Sequence, residues 1–104
     1  MPSKSMFIIS GEFKVKDEFR DDLIKMSLEL IPISTQESGC ISYSFLEDLS
    51  RPGHFLFFER WKTREAITQH FEKPYFVNFA EAFPDMIEGA ATIEIHQVSS
   101  TEVV

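Results

Sequence analysis

The sequence predicts an α+β domain in which helices cover one face of a four-stranded antiparallel sheet. Two patterns predict this class: some segments alternate apolar and polar side chains with a period of two, as half-buried strands do, and others repeat apolar residues every three or four positions, as amphipathic helices do. The length of 104 residues suffices for one hydrophobic core. Residues 1–5 and 99–104 carry neither pattern, so we expect a flexible N-terminus, one domain over residues 6–98 and a C-terminal tail.

The first half of the chain predicts a strand, a long helix and a second strand. The first strand runs from Met6 to Val15, and apolar residues then recur at helical spacing from Phe19 to Ile33. Proline removes one backbone donor, so we expect Pro32 to kink this helix or to end it near Leu30. Small polar and bulky apolar side chains alternate over Cys40–Leu46, which predicts the second strand.

A hairpin and a short helix follow. Residues 48–53 have the composition of a turn, and the aromatic segment His54–Trp61 is expected to pair antiparallel with the strand before the turn. The next helix is predicted over Lys62–Phe71, with Thr63 as its N-cap, since threonine side chains accept hydrogen bonds from the first free amides of a helix.

The remaining elements complete the topology. Lys73-Pro74 interrupts the helical pattern, which resumes from Phe76 to Phe83, and alternation over Ala91–Val98 predicts the last strand. The resulting order of strand, helix, two strands, helices and strand is that of the ferredoxin-like, split βαβ fold.

Aromatic residues are more numerous than a core of this size needs. Eleven of the 104 residues are Phe, and a sheet with helices on one face leaves its other face bare. Covering an apolar sheet face with a second copy of the chain is the simplest way to bury it. We therefore predict a homodimer, with Phe58 and Phe45 as candidates for the covered face.

Composition narrows the possible partners and the compartment. Ten basic against seventeen acidic residues give a net charge of −7, which disfavours binding to nucleic acids or to anionic membrane surfaces. No apolar run approaches the length of a membrane span or of a signal peptide. The single cysteine, Cys40, cannot form an internal disulfide, and we expect a cytoplasmic protein.

Three residues are candidates for catalysis. The period of two places Glu59 beside Trp61 on one face of the third strand, and aromatic neighbours raise the pKa of a carboxyl, so that it can accept a proton near neutral pH. The alternative for Glu59 is an acid whose carboxylate reaches solvent or an arginine. His70 precedes the break at Lys73-Pro74, where it acts either as a proton acceptor or as a helix C-terminal histidine that binds free carbonyls. The spacing of the three histidines does not match a metal site.

A set of mostly aromatic side chains is the candidate wall of a substrate cavity. The alternative is that the same residues only pack the core against the sheet. A flat apolar ligand would stack between such rings, with Tyr75 or Asn78 as a polar contact. The candidate substrate-binding residues are Phe13, Met26, Phe57, Tyr75, Phe76, Asn78, Phe79 and Phe83.

Several of these segments, taken in order, resemble a known family. They are Glu37-Ser38-Gly39-Cys40-Ile41-Ser42-Tyr43, Phe58-Glu59-Arg60-Trp61, Ala66, His70, Lys73-Pro74-Tyr75-Phe76 and Phe79. Together they resemble the antibiotic biosynthesis monooxygenase domain, which includes quinol monooxygenases, over roughly residues 6 to 98. The resemblance implies a dimeric α/β barrel with one pocket per subunit, and oxidation of a small aromatic or quinol-like substrate by O₂ without metal, flavin or other cofactor. It implies that His70 is the base or hydrogen-bond partner, Trp61 a pocket wall and Glu59 a support for either.

Two other functions remain open at this point. A small-molecule isomerase on the same scaffold would need the same base and cavity but no oxygen. A non-catalytic ligand-binding dimer would use the aromatic residues only for its core and interface, because a fold does not determine a function.

Overall fold

Four antiparallel strands form one sheet in the order β2-β3-β1-β4. The structure is a computed structural model that describes residues 6–104, and the predicted N-terminal extension, residues 1–5, lies outside them. The strands are β1 (Met6–Val15), β2 (Cys40–Glu47), β3 (His54–Trp61) and β4 (Ile87–Val98). Three α-helices connect them: α1 (Arg20–Ser34), α2 (Arg64–Glu72) and α3 (Pro74–Ala82), with single 3-10 turns at Asp17–Phe19 and Phe83–Met86. The predicted fold class is confirmed.

Local signals explain where the helices begin and end. The Thr63 side chain accepts a hydrogen bond of 3.0 Å from the Ala66 amide, as predicted for the N-cap of α2, and Pro74 occupies the first turn of α3, where its missing donor costs nothing. Of the two alternatives for Pro32, a kink or an end near Leu30, the early end was wrong, because the helix continues through Pro32 to Ser34. The carbonyl that loses its partner to Pro32 belongs to Leu28, which is exposed, so water can satisfy it.

The last strand is longer than predicted. β4 begins at Ile87, four residues before the predicted Ala91, because Gly89 lies inside the strand and does not end it. Gly89 has a φ of 63°, and the pairing of β1 with β4 shifts its register between Glu12 and Lys14. Such a glycine is typical of a β-bulge. In a sequence, a glycine indicates a bulge as well as a turn, so the pattern alone did not distinguish the two.

The core lies between the helices and one face of the sheet. Alternate residues of β1 and β3 point to this face and are buried. Phe45 of β2 belongs to it as well: its ring stacks on that of Phe55, with centroids 4.9 Å apart. The prediction that Phe45 lies on the bare face was therefore wrong, because Phe45 pairs directly with Phe57, and cross-strand partners share a face.

The opposite face of the sheet, which we call the outer face, carries apolar side chains that no helix covers. Leu46 is 48% exposed, and its cross-strand partner Leu56, together with Phe58 and Ile8, is only partly buried. The guanidinium of Arg60 lies 5.2 Å from the centre of the Phe58 ring. Separately, no helix within residues 6–104 is both long enough and apolar enough to cross a bilayer.

A close contact joins the segment after α1 to α2. A Cβ atom on Gly39 would lie 2.3 Å from the Cβ of Ala66, so a side chain at this position would push the two segments apart. The Lys62 amide donates a hydrogen bond of 2.8 Å to the Gly39 carbonyl. This contact holds Glu37, two residues before Gly39, against the end of α2.

Candidate active site

An open, apolar cavity lies between α3 and the sheet. Its volume is about 630 Å³, within the range of small-molecule sites. Aromatic rings of α3 and of the 3-10 turn after it form one wall, and β1 and β4 contribute small residues, among them Gly11, Gly89, Ala90 and Ala91. Of the predicted substrate-binding residues, five line this cavity: Phe13, Phe57, Phe76, Phe79 and Phe83.

Glu59 supplies the carboxyl group in this cavity. Glu59 and Tyr43 are the only two polar side chains among the described lining residues. Tyr43 lies directly opposite Glu59 in the pairing of β2 with β3. The Glu59 side chain accepts a hydrogen bond of 3.0 Å from the indole N–H of Trp61. Glu59 is 4% exposed, and this burial raises its pKa to about 7, although hydrogen bonds from Trp61 and Tyr43 oppose the rise. The alternative, in which the Glu59 carboxylate reaches solvent or an arginine, is wrong, because the side chain is buried and its carboxyl binds the Trp61 indole.

The Tyr43 hydroxyl opposes the rise in the pKa of this carboxyl. Burial, and to a smaller extent the charge of Glu59, raise the pKa of the Tyr43 hydroxyl, so the hydroxyl keeps its proton at neutral pH. A protonated phenol beside a carboxylate stabilises the charged form of the acid. The cavity thus presents a proton acceptor and a neutral donor side by side.

His70 lies behind the cavity wall and not on it. The ring is fully buried, with its centre 4.7 Å from both the Trp61 and the Phe76 ring centres. Its Nδ1 lies 2.7 Å from Oε2 of Glu37, and burial lowers the pKa of the imidazole despite this partner. His70 is therefore neutral and donates from Nδ1, while its Nε2 has no hydrogen-bond partner within residues 6–104.

A second carboxyl, Glu37, organises the groups behind the wall. Besides His70, it accepts a hydrogen bond from the Tyr75 hydroxyl, and that hydroxyl lies 3.1 Å from Oγ of Ser34. Tyr75 thus faces this buried network and does not line the cavity. Through the ring contact of His70 with Trp61, the network supports the indole that binds Glu59.

The other predicted site residues lie elsewhere. Trp61 is fully buried and contacts the site through Glu59. Met26 borders a separate cleft between α1 and the turn after α3, and Asn78 is exposed on α3. Cys40 is partly buried, and desolvation raises the pKa of its thiol to about 11. Within residues 6–104, no three His, Cys, Asp or Glu side chains cluster in a way that could hold a metal ion.

The raised pKa of Glu59 predicts a pH-dependent cost to the fold. Its folded-state pKa of about 7, against an ordinary 4.5, means that the folded state holds the proton more tightly than the unfolded chain does. Stability conferred by this proton is lost as pH rises from about 4.5 through about 7. Glu59→Gln removes the titration. Denaturant unfolding at fixed protein concentration should show that the variant gains, relative to the wild type, up to about 3 kcal/mol between about pH 4.5 and pH 8; a constant difference would contradict the raised pKa.

Comparison with protein families and curated proteins gives a consistent result. The family model for antibiotic biosynthesis monooxygenase matches residues 6–82. The chain is 41% identical over 95 residues to the uncharacterized protein sll1783 of Synechocystis, covering 91% of this chain and 65% of that protein. The chain thus spans slightly less than two thirds of the length of that relative.

Solved structures share the fold over nearly the whole chain. A Deinococcus radiodurans protein, described as a candidate antibiotic biosynthesis monooxygenase, is 26% identical with a TM-score of 0.79, and the match covers 94% of this chain and 95% of the other. Protein SO0527 of Shewanella oneidensis has a TM-score of 0.85 at 22% identity, covering 97% of this chain and 98% of the other. At that identity the second match supports the fold alone.

Proposed function

Because the chain belongs to the antibiotic biosynthesis monooxygenase family, we propose that it oxidises a phenolic or quinol-like aromatic substrate with O₂ in the apolar cavity, with Glu59 as the base. One observation carries the proposal: the carboxyl of Glu59 lines a cavity of aromatic and aliphatic side chains and has a pKa of about 7. A base whose pKa lies near the working pH is the most effective one.

The proposed chemistry needs little beyond a base and a dry cavity. Glu59 accepts the hydroxyl proton of a quinol, and the resulting anion transfers one electron to O₂. Superoxide and the ring radical then combine to form a carbon–oxygen bond. The peroxide takes back the proton from Glu59 and becomes a hydroperoxide. The O–O bond and the C–H bond at the same ring carbon then break, the outer oxygen leaves as water with that second proton, and a hydroxyquinone remains. One quinol and one O₂ thus give one hydroxyquinone and one water.

Trp61 and His70 act through Glu59 and not on the substrate. Trp61 is a positioning residue, since its indole holds the carboxyl at 3.0 Å. His70 is buried behind Trp61, so in this proposal it supports the indole and does not receive the substrate proton. The apolar rings exclude water from the charged intermediate.

Oxygen uptake tests this function. With a hydroquinol or an anthrone as substrate, we expect one O₂ consumed per product, one atom from labelled ¹⁸O₂ in the product, and a kcat/KM that rises with pH through about 7 as Glu59 ionises. Conversion of the substrate without O₂ uptake would assign an isomerase. Binding without conversion would assign a ligand-binding protein.

We also propose that the working unit is a homodimer in which the outer face of one copy covers that of another. The support is the row of partly exposed apolar side chains on this face, which includes Leu46, Leu56 and Phe58. Burying such a face is worth about 25 cal/mol per Å² of apolar area.

A further inference from the structure

The four glycines of the chain differ in what the fold requires of them. Gly53 and Gly89 have positive φ angles, which side chains rarely adopt, and Gly39 has no room for a Cβ atom. Neither requirement applies to Gly11. Its φ is not positive, and a Cβ atom there would lie at an ordinary contact distance of 3.8 Å from Ile93 and Phe57. The backbone of Gly11 would accept a side chain.

Gly11 nevertheless occupies a position where a side chain would stabilise the sheet. It lies in the middle of β1, paired with Phe57 of β3 and Ile93 of β4, and between Ile9 and Phe13 on the same face. A glycine inside a strand weakens it, and often marks a place where a ligand approaches the backbone closely. Gly11 is buried and lines the cavity.

The missing side chain leaves a shallow gap in an otherwise continuous apolar surface. The gap is bordered by Ile9, Phe13, Phe57 and Ile93, all of which line the cavity. Two further cavity rings stand at its sides: Phe83 contacts Phe13, with centroids 4.8 Å apart, and Phe79 contacts Phe57, with centroids 5.9 Å apart. At Gly11, therefore, the cavity reaches the backbone of β1 with no side chain between.

We propose that Gly11 is a specificity-determining residue whose missing side chain lets a planar aromatic ring lie flat against β1, next to the rings of Phe79 and Phe83. This inference rests on the proposed function and adds the residue that selects a flat ring within its substrate class. Glu59 and Tyr43 are the polar side chains among the described lining residues, which suits a hydroxyl group, and no basic side chain occurs among them to pair with an anion.

Binding and stability, measured on the same variants, test the role of Gly11. The probes are 1-naphthol, which is planar, and decahydro-1-naphthol, which has the same skeleton but is not flat, and their dissociation constants are measured by titration calorimetry. Gly11→Val should weaken binding of 1-naphthol by about ten-fold or more, since each added methyl or methylene group in a pocket changes affinity by such factors. Gly11→Ala should weaken it less. Both variants should melt at or above the wild-type temperature.

The controls separate a spatial role from a structural one. Gly39→Ala, at a glycine that the packing requires, should lower the melting temperature. Decahydro-1-naphthol should bind the wild type more weakly than 1-naphthol does. The proposal is overturned if Gly11→Val binds 1-naphthol as tightly as the wild type, if Gly11→Ala melts as low as Gly39→Ala, or if the wild type does not prefer the planar probe.

Gly11→Ala decides the question if Gly11→Val does not fold, because an alanine fits without displacing its neighbours. The outcome is also distinct from that of the oxygen-uptake experiment. If the wild type prefers 1-naphthol but consumes no O₂ with any quinol, the oxygenase function fails and the role of Gly11 stands. If the wild type consumes O₂ with a quinol but Gly11→Val binds 1-naphthol and oxidises the quinol normally, the oxygenase function stands and the role of Gly11 fails.

Discussion

Replacing Glu59 by glutamine is expected to lower kcat/KM for quinol oxidation by about 10²–10⁴-fold, the usual contribution of a positioned base. Glutamine keeps the size of the side chain and can still accept a hydrogen bond from the Trp61 indole, but it cannot accept a proton. The loss of activity should appear in kcat more than in KM, because the base acts on the bound substrate. Initial rates of O₂ uptake at saturating and limiting quinol measure both constants.

A matched control distinguishes loss of the base from loss of charge. Glu29 is exposed on α1, away from both the cavity and the outer face, so Glu29→Gln removes the same charge from the chain and should keep wild-type kinetics. Glu59→Gln should also fold at least as stably as the wild type above neutral pH. Near-normal oxygenation by this folded variant would remove Glu59 from the mechanism and return the buried His70 to consideration.

Introducing a charge on the outer face should separate the two copies of the dimer. Phe58 lies on the outer face between β1 and β2 neighbours, and a stable interface of standard size buries about 800 Å² on each partner. In Phe58→Glu, two like charges would be buried at such an interface without partners, at a cost of several kcal/mol. We expect a dimer for the wild type and a monomer for this variant in sedimentation velocity experiments at micromolar concentration.

Leu49 provides the control for this substitution. It is 97% exposed in the turn between β2 and β3, so Leu49→Glu introduces the same group at an apolar residue away from the outer face. This variant should sediment as the wild type does. A monomeric wild type, or a Phe58→Glu variant that stays dimeric, would place any partner on another surface.

The strands and helices were predictable because local patterns determine them. The alternation in His54–Trp61 and the cap at Thr63 depend on neighbours within a few residues, and the structure has both where the sequence indicates. The structure differs from the prediction where one local sequence pattern is compatible with two conformations. Gly89 is compatible with a turn or with a bulge, and Pro32 ends or continues a helix according to whether water reaches the unpaired carbonyl.

The aromatic residues of the site were predictable from the sequence, but the hydrogen-bond partners from distant segments were not. Periodicity places Glu59 and Trp61 on one strand face, and the indole–carboxyl bond follows from that adjacency. Glu37 lies 33 residues before His70, in a polar stretch with no periodicity, and only the tertiary contact at Gly39 brings the two together. Tyr43 had a signal that could have been used, because the strand pairing of the hairpin places it opposite Glu59.

Trp61 is the one tryptophan of the chain. Its indole donates a hydrogen bond to the carboxyl of Glu59, whose ionisation the proposed oxidation needs. All indole emission from this protein therefore comes from a single, fully buried environment. Protonation of Glu59 changes the charge beside that chromophore, so the intensity and wavelength of its fluorescence are an intrinsic, label-free optical signal of the charge state of the cavity. Occupancy of the cavity by a ring that contacts Glu59 would alter the same signal.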